Sequence, residues 1–80
     1  MKLPRDVSGE ELAKALRTLG YSVTRQTGSH YRATTAQGGE HHVTIPRHSP
    51  LRIGTFAAIL DDVAEHFGIT RDELIARINI

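Results

Sequence analysis

Residues 21–45 read YSVTRQTGSHYRATTAQGGEHHVTI and contain the strongest signals for β-structure in the chain. The stretch contains three runs rich in β-branched and aromatic residues, which favour strands; they span residues 21–26, 30–35 and 41–45. Gly28 separates the first two runs, and Gly38-Gly39 is typical of a hairpin turn. The third run ends at Pro46, because proline cannot donate to a central ladder. The stretch therefore predicts three consecutive antiparallel strands.

A helical pattern precedes the strands. Ser8 and Glu11 have the spacing of a capping box, in which each side chain bonds the backbone amide of the other residue. Leucines then recur at helical spacing, and Gly20 supplies the residue type that commonly ends a helix. These signals predict a short amphipathic helix over residues 9–19.

Two further helical patterns follow the strands. After a looser segment over residues 47–53, five apolar residues form one buried stripe: Phe56, Ile59, Leu60, Val63 and Phe67. Gly68 ends this second helix. Thr70 and Glu73 then repeat the capping box and predict a short last helix through Ile78.

The order helix, three antiparallel strands, helix and short C-terminal helix predicts an α+β fold. A sheet buries its apolar face under helices, so we expect a two-layer sandwich with helices on one side and water on the other. Eighty residues suffice for one small domain, which we expect to span residues 1–80.

The composition excludes several classes of protein. Apolar residues make up 39% and charged residues 24%, as in ordinary soluble domains rather than disordered chains. The absence of cysteine excludes a disulfide framework, a thiolate zinc site and a cysteine nucleophile. No apolar run approaches the roughly 20 residues of a membrane helix, and Met1-Lys2-Leu3-Pro4 opens no signal peptide, so we expect a cytoplasmic protein.

The net charge of +1 conceals a basic middle and an acidic end. Residues 12–58 carry six Lys or Arg and one Glu, a net charge of +5, whereas residues 1–11 carry −1 and residues 59–80 carry −3. A basic stretch is either a solvated surface or a site for a polyanion, and composition leaves both interpretations open.

Strand alternation predicts which polar side chains face water. When the apolar residues of the second and third strands lie on the core side, the open face carries His30, Arg32 and His42. In the first strand Arg25 alternates onto the face of Tyr21, but it lies near the strand end, where it can reach past the core. The open face is therefore expected to be basic and to carry histidine, either as a binding site or as ordinary solvated residues.

The other histidines give no metal signal. His41 and His42 point to opposite faces of a strand, so they cannot hold one metal ion together. Without carboxylate or thiolate support, we expect no metal site and no cofactor. His66 lies near the end of the second helix, where a cation favours the helix dipole, and we expect its role to be structural.

Three short motifs carry a resemblance to a known family. They are Arg25-Gln26-Thr27-Gly28-Ser29-His30, Thr44-Ile45-Pro46-Arg47-His48 and Ile53-Gly54-Thr55. In this order and spacing they resemble the HicA toxin family of bacterial toxin–antitoxin systems, over about residues 8–60. The resemblance implies a fold like that of a double-stranded-RNA-binding domain and a metal-independent mRNA endonuclease with His30 as its catalytic residue. It also implies neutralisation by a HicB-type antitoxin.

The residue types around this motif suit ribonuclease chemistry. RNA can be cut by attack of its own 2′-hydroxyl on the adjacent phosphorus, and a histidine such as His30 can serve as general base or acid. We assign Arg25, Arg32 and Arg47 to phosphate contacts, because guanidinium groups stay charged and donate bidentately. We assign His48 to a secondary RNA contact.

Gly28 and Ser29 precede this histidine directly. Gly28 is expected to allow an unusual backbone turn and a close approach to phosphate. Ser29 either donates to the phosphate or caps the turn, since short hydroxyl side chains do both.

A non-catalytic module is the main alternative. The same fold and basic face would bind duplex RNA by shape and phosphate contacts, and an open sheet face also suits an acidic protein partner. Loss of His30 separates the two functions, because a nuclease needs this side chain and a binding module tolerates its loss.

Overall fold

The computed structural model describes residues 3–80. Met1 and Lys2, which enter the N-terminal charge count and the signal-peptide prediction, lie outside the described residues. The elements are α1 (Gly9–Ala15), a 3₁₀ turn (Leu16–Leu19), β1 (Ser22–Gln26), β2 (His30–Thr35), β3 (His41–Pro46), α2 (Ile53–Phe67) and α3 (Arg71–Ile78). The predicted α+β order is confirmed.

Both predicted capping boxes are present. The hydroxyl of Ser8 accepts from the amide of Glu11 (3.0 Å), and the carboxylate of Glu11 accepts from the amide of Ser8 (3.3 Å). Thr70 and Glu73 make the same pair of bonds, each 3.1 Å long, at the start of α3. These bonds satisfy amides that the first turn of a helix leaves without a partner, so each helix starts where the sequence predicted.

The first helix differs from its prediction in its last turn. The chain is α-helical only through Ala15, and Leu16–Leu19 tighten into a 3₁₀ turn that ends at Gly20, with φ at +82°. Short 3₁₀ stretches are common at helix ends. The tightening keeps Leu16 and Leu19 buried while the chain turns into β1.

The three strands form one antiparallel sheet in the order β1-β2-β3. Pro46 is the last residue of β3 and the register partner of His30, so the strand extends one residue beyond its predicted end. The amide of Arg47 donates to the carbonyl of Ser29 (2.8 Å). Backbone amides along an antiparallel strand point alternately toward the partner strand and away from it. The amide of Arg47 points toward β2, so an amide at position 46 would point away from β2, toward the open edge of the sheet. Pro46 therefore costs the ladder no hydrogen bond.

A β-bulge in β1 changes the expected position of one arginine. Val23 pairs with Ala33, but the next pair is Arg25 with Arg32, so Thr24 is an extra residue in β1 that has no register partner in β2. The bulge reverses the alternation of side chains along β1 beyond this point. The prediction that Arg25 shares the face of Tyr21 is therefore wrong, and Arg25 lies on the open face beside Arg32.

The helices cover one face of the sheet and form the core with it. The largest fully buried apolar side chains come from every layer: Tyr21, Phe56, Leu12, Leu16, Ile45, Leu60, Leu74 and Val63. On the other face His30, Arg32 and His42 are exposed, as the strand pattern predicted. Within residues 3–80, no helix combines the length and the apolar character needed to cross a membrane.

Gly9 allows α1 to approach the end of β3 closely. A Cβ on Gly9 would collide with the carbonyl oxygen of Pro46 and would lie 3.3 Å from Cγ2 of Ile45. The amide of Gly9 donates to the carbonyl of His48 (2.9 Å). The start of α1 therefore fixes the end of β3 and the residues that follow it, next to the turn that carries His30.

Candidate active site on the open sheet face

His30 begins β2 at the end of a tight turn from β1. Thr27 closes this turn: its amide donates to the carbonyl of His30 (2.9 Å), and its hydroxyl accepts from the amide of His30 (3.0 Å). The same hydroxyl accepts from the amide of Ser29 (3.3 Å). A hydroxyl that bonds amides two and three residues ahead is a side-chain turn cap. Thr27 thus performs the capping role that the sequence left open for Ser29.

Ser29 contacts the imidazole of His30. Its Oγ lies 2.8 Å from Nδ1, while Nε2 has no hydrogen-bond partner within residues 3–80. In the tautomer with a proton on Nδ1, Ser29 accepts that hydrogen bond and Nε2 presents its lone pair to solvent. Since His30 is exposed, Nε2 is the ring atom available for proton transfer.

Gly28 lies in this turn with open space around it. Its φ is not in the left-handed region, so the turn does not use the backbone conformation that favours glycine. Thr27 closes the turn by hydrogen bonds instead. A Cβ at Gly28 would meet nothing within 4 Å, and the backbone there is open to a close approach from solvent.

Arg25 and Arg32 stand opposite each other on the open face. They are register partners, and Arg32 lies two residues from His30 on the same face of β2. Both arginines are exposed, and neither has an ion-pair partner within residues 3–80. Like charges directly opposite each other destabilise a sheet. An anion bound between the two guanidinium groups would relieve this repulsion.

Arg47 lies on the helix side of the sheet. Its Nη1 donates to the carbonyl of Thr27 (3.0 Å), and its guanidinium carbon lies 5.1 Å from the ring centroid of Tyr31. Tyr31 pairs with the buried Ile45 and so belongs to the core side. The structure therefore separates Arg47 from the two arginines on the open face.

His48 follows Arg47 and is exposed. Its carbonyl is held by the amide of Gly9, and its side chain borders a shallow cavity of about 200 Å³ that Arg47 and Tyr31 also line. A larger cavity of about 650 Å³ lies between the N-terminal segment and the start of α2, and none of the predicted site residues lines it.

His42 shares the open face but is held at both ring nitrogens. Its Nδ1 lies 2.7 Å from the hydroxyl of Thr34, and its Nε2 lies 3.1 Å from the carboxylate of Glu40. The two exposed histidines of this face thus differ: His42 is tied to neighbours, whereas His30 keeps one nitrogen free within residues 3–80.

His41 points to the opposite side, as predicted. Its Nδ1 lies 2.6 Å from the hydroxyl of Tyr21 and its Nε2 lies 3.2 Å from the carboxylate of Asp62. The ring stacks on His66 at 4.4 Å, and Nε2 of His66 donates to the carbonyl of Gln37 (2.9 Å). Burial, with a smaller contribution from Asp62, raises the pKa of Tyr21 to about 12.

His41 and His42 face apart, and no group of three His, Cys, Asp or Glu side chains in residues 3–80 is arranged to hold a metal ion.

Two features of the site were not predicted from the sequence. The turn cap at Thr27 had a readable signal, because a threonine before Gly-Ser has the spacing of a side-chain-capped turn. The bulge at Thr24 had none, because a one-residue insertion leaves no mark in the composition of a strand.

The protein is thus a small α+β domain whose open sheet face carries an exposed histidine and two arginines that have no ion-pair partner within residues 3–80. The family model described as the HicA toxin of bacterial toxin–antitoxin systems matches residues 9–64. This span includes α1, the whole sheet, most of α2 and every predicted site residue. The chain therefore belongs to the HicA toxin family, and this membership implies an antitoxin partner. No curated protein and no solved structure matched the chain.

Proposed function

We propose that this toxin is an endoribonuclease that cleaves mRNA by histidine acid–base catalysis without a metal ion, and that a HicB-like antitoxin inhibits it. The observation that carries the proposal is the opposed pair Arg25 and Arg32 next to His30. A sheet gains nothing from two unpaired arginines placed opposite each other. Their placement is favourable when a phosphate group lies between or beside them.

His30 supplies the proton transfer. With Nδ1 held by Ser29, Nε2 takes the proton of a 2′-hydroxyl as that oxygen attacks the adjacent phosphorus. The 2′-oxygen–phosphorus bond forms, and the bond from phosphorus to the 5′-oxygen breaks. The leaving oxygen takes up a proton, either from the imidazolium or from water. The products are a 2′,3′-cyclic phosphate and a 5′-hydroxyl end.

The arginines stabilise the charge that develops on phosphorus. The guanidinium groups of Arg25 and Arg32 are fixed by neighbouring strands, so they need little reorganisation when the phosphorane forms. The open space at Gly28 gives the RNA backbone room to approach the turn. The RNA-binding residues proposed from the sequence are Arg25, Gly28, Ser29, Arg32, Arg47 and His48. Five of them keep that proposed role, whereas Arg47 bonds Thr27 and lies over Tyr31 on the other side of the sheet and is given a different role below.

The antitoxin is proposed to cover the same face. An exposed basic site next to a catalytic histidine is silenced most simply by a partner surface with carboxylates or hydrogen-bond acceptors. Such a partner would contact Arg25 and Arg32 and would shield His30 from RNA. Charge reversal at Arg32 should weaken the complex, and the co-purified complex should not cleave RNA.

The decisive experiment compares His30→Ala with His42→Ala. Both residues are exposed histidines on the same face, so each substitution should change the free energy of unfolding by only about 0.5 kcal/mol. We expect His30→Ala to abolish cleavage of a purified RNA and to abolish growth inhibition, while RNA binding persists. His42→Ala should keep most of the activity, because His42 is tied to Glu40.

Melting curves and an EDTA control complete the test. Cleavage should continue in EDTA, and its rate should vary over the pH range in which imidazoles titrate. A folded His30→Ala protein that cleaves RNA at the wild-type rate would contradict the proposal and favour the RNA-binding module. A requirement for added Mg²⁺ or Zn²⁺ would contradict the metal-free mechanism.

A further inference from the structure

The turn that carries His30 depends on contacts from outside it. Thr27, Gly28, Ser29 and His30 are all exposed, and the hydrogen bonds that close the turn run between these residues themselves. Gly28 adds no side-chain contact. Left to itself, a short exposed turn of this kind samples several conformations, and the imidazole of His30 would move with it.

Arg47 holds this turn from the end of β3. Its backbone amide donates to the carbonyl of Ser29 (2.8 Å), and its guanidinium donates to the carbonyl of Thr27 (3.0 Å). The two carbonyls lie on either side of Gly28. One residue, twenty positions further along the chain, thus bonds both ends of the flexible part of the turn.

The guanidinium of Arg47 is itself fixed. It lies over the ring of Tyr31, 5.1 Å from the centroid, an arrangement that favours a cation. Tyr31 is half-buried on the core side of β2, directly after His30. Because Tyr31 and His30 point to opposite faces, this contact directs the charge of Arg47 away from the face that carries Arg25 and Arg32.

We propose that Arg47 is a positioning residue for His30 rather than a phosphate contact. By fixing the Thr27–His30 turn, it holds Nδ1 of His30 against Ser29 and keeps Nε2 directed to the open face. A misplacement of about 1 Å in a catalytic group can lower a rate by about 100-fold. The inference rests on the proposed function for its catalytic consequence, but the positioning itself is a property of the turn.

The test measures rate, RNA affinity and the state of the imidazole separately. Arg47→Ala removes the side-chain bond but keeps the backbone bond to Ser29. We expect its single-turnover cleavage rate at saturating RNA to fall by about 10- to 100-fold, with the Kd for RNA changed less than about threefold. The comparison variant Arg32→Ala should also lower the saturated rate, because Arg32 stabilises the phosphorane, but it should in addition weaken the Kd for RNA and reduce the salt dependence of binding, which Arg47→Ala should not do.

Nuclear magnetic resonance follows the turn without reference to activity. In wild-type protein, ¹H–¹⁵N spectra of the imidazole should show one defined tautomer of His30, and the His30 amide should exchange slowly for an exposed residue. Arg47→Ala should average the tautomer signals and speed exchange of that amide by about 10-fold or more. If Arg47→Ala does not fold, Arg47→Lys serves instead, because lysine keeps the charge but cannot reproduce the flat contact with Tyr31.

The outcomes separate the two proposals. A large loss of RNA affinity with an unchanged saturated rate would show that Arg47 contacts phosphate, and would overturn the inference. Unchanged imidazole spectra and amide exchange in Arg47→Ala would overturn it as well. If the wild-type protein does not cleave RNA, the proposed function fails, while altered His30 spectra in Arg47→Ala would still support the positioning role.

Discussion

Two glycines in the first turns of helices offer a quantitative test of the packing. Gly9 in α1 is buried, and a Cβ there would lie 3.1 Å from the carbonyl carbon of Pro46 and would collide with its oxygen. Gly54 in α2 is exposed, and a Cβ there would meet nothing within 4 Å. Alanine at these two positions should therefore have opposite effects on stability.

The expected magnitudes follow from these surroundings. Neither glycine has a positive φ. Alanine at either site therefore raises the free energy of unfolding by about 0.5–1 kcal/mol, because it restricts the conformations of the unfolded chain. Nothing opposes this gain in Gly54→Ala. In Gly9→Ala the new Cβ meets the backbone carbonyl of Pro46. A backbone group cannot rotate away as a side chain can, so α1 must move away from β3. Overpacking costs about 1–3 kcal/mol, and strain on the amide bond from Gly9 to His48 costs about 1 kcal/mol more. The net loss is about 1–3 kcal/mol.

Thermal and urea unfolding of the two variants beside wild type measure this difference. In a domain of this size 1 kcal/mol corresponds to about 4–8 °C in Tm. We expect Gly54→Ala to raise the Tm by about 2–8 °C and Gly9→Ala to lower it by about 4 °C or more. Wild-type stability of Gly9→Ala would refute the close packing of α1 against the end of β3. A lower Tm for Gly54→Ala would refute the open surroundings of α2 at that position.

Two further predictions concern the pH dependence of stability. Burial raises the pKa of Tyr21 from 10 in the unfolded chain to about 12 in the folded protein. The stability that this difference contributes is fully present below pH 10 and should be lost as the pH rises from 10 through about 12. Absorbance titration in a Tyr31→Phe background measures Tyr21 alone, and a midpoint near pH 10 would contradict the prediction. The paired 2.7 Å bonds from Arg71 lower the pKa of Asp61, so this carboxylate contributes stability above about pH 4 that is lost as the pH falls through its lowered pKa. Asp61→Asn should therefore flatten the acid limb of a plot of Tm against pH, whereas the control Glu65→Gln on the same helix should leave that limb steep; equal slopes for both would disprove a special role for the pair.

The fold was predictable because its signals are local. Capping boxes at Ser8 and Thr70 act between residues three apart, and glycines such as Gly20 end helices through their own backbone conformation. Alternation on β2 and β3 correctly placed His30 on the open face, since side-chain direction along a regular strand follows from parity alone. The family motif could likewise be read from the sequence, and the family match confirms it.

The secondary-structure elements, their order, the exposure of His30 and the family could therefore all be predicted from the chain alone. The tertiary structure alone decided how the basic groups are shared between the two faces of the sheet. Arg25 reached the open face because β1 pairs with β2 through a bulge at Thr24, and Arg47 turned to the other side because Thr27 and Tyr31 bind it there. The physical reason is that ladder register and long-range side-chain bonds depend on the partner strand, whereas propensity and periodicity depend only on near neighbours in the chain.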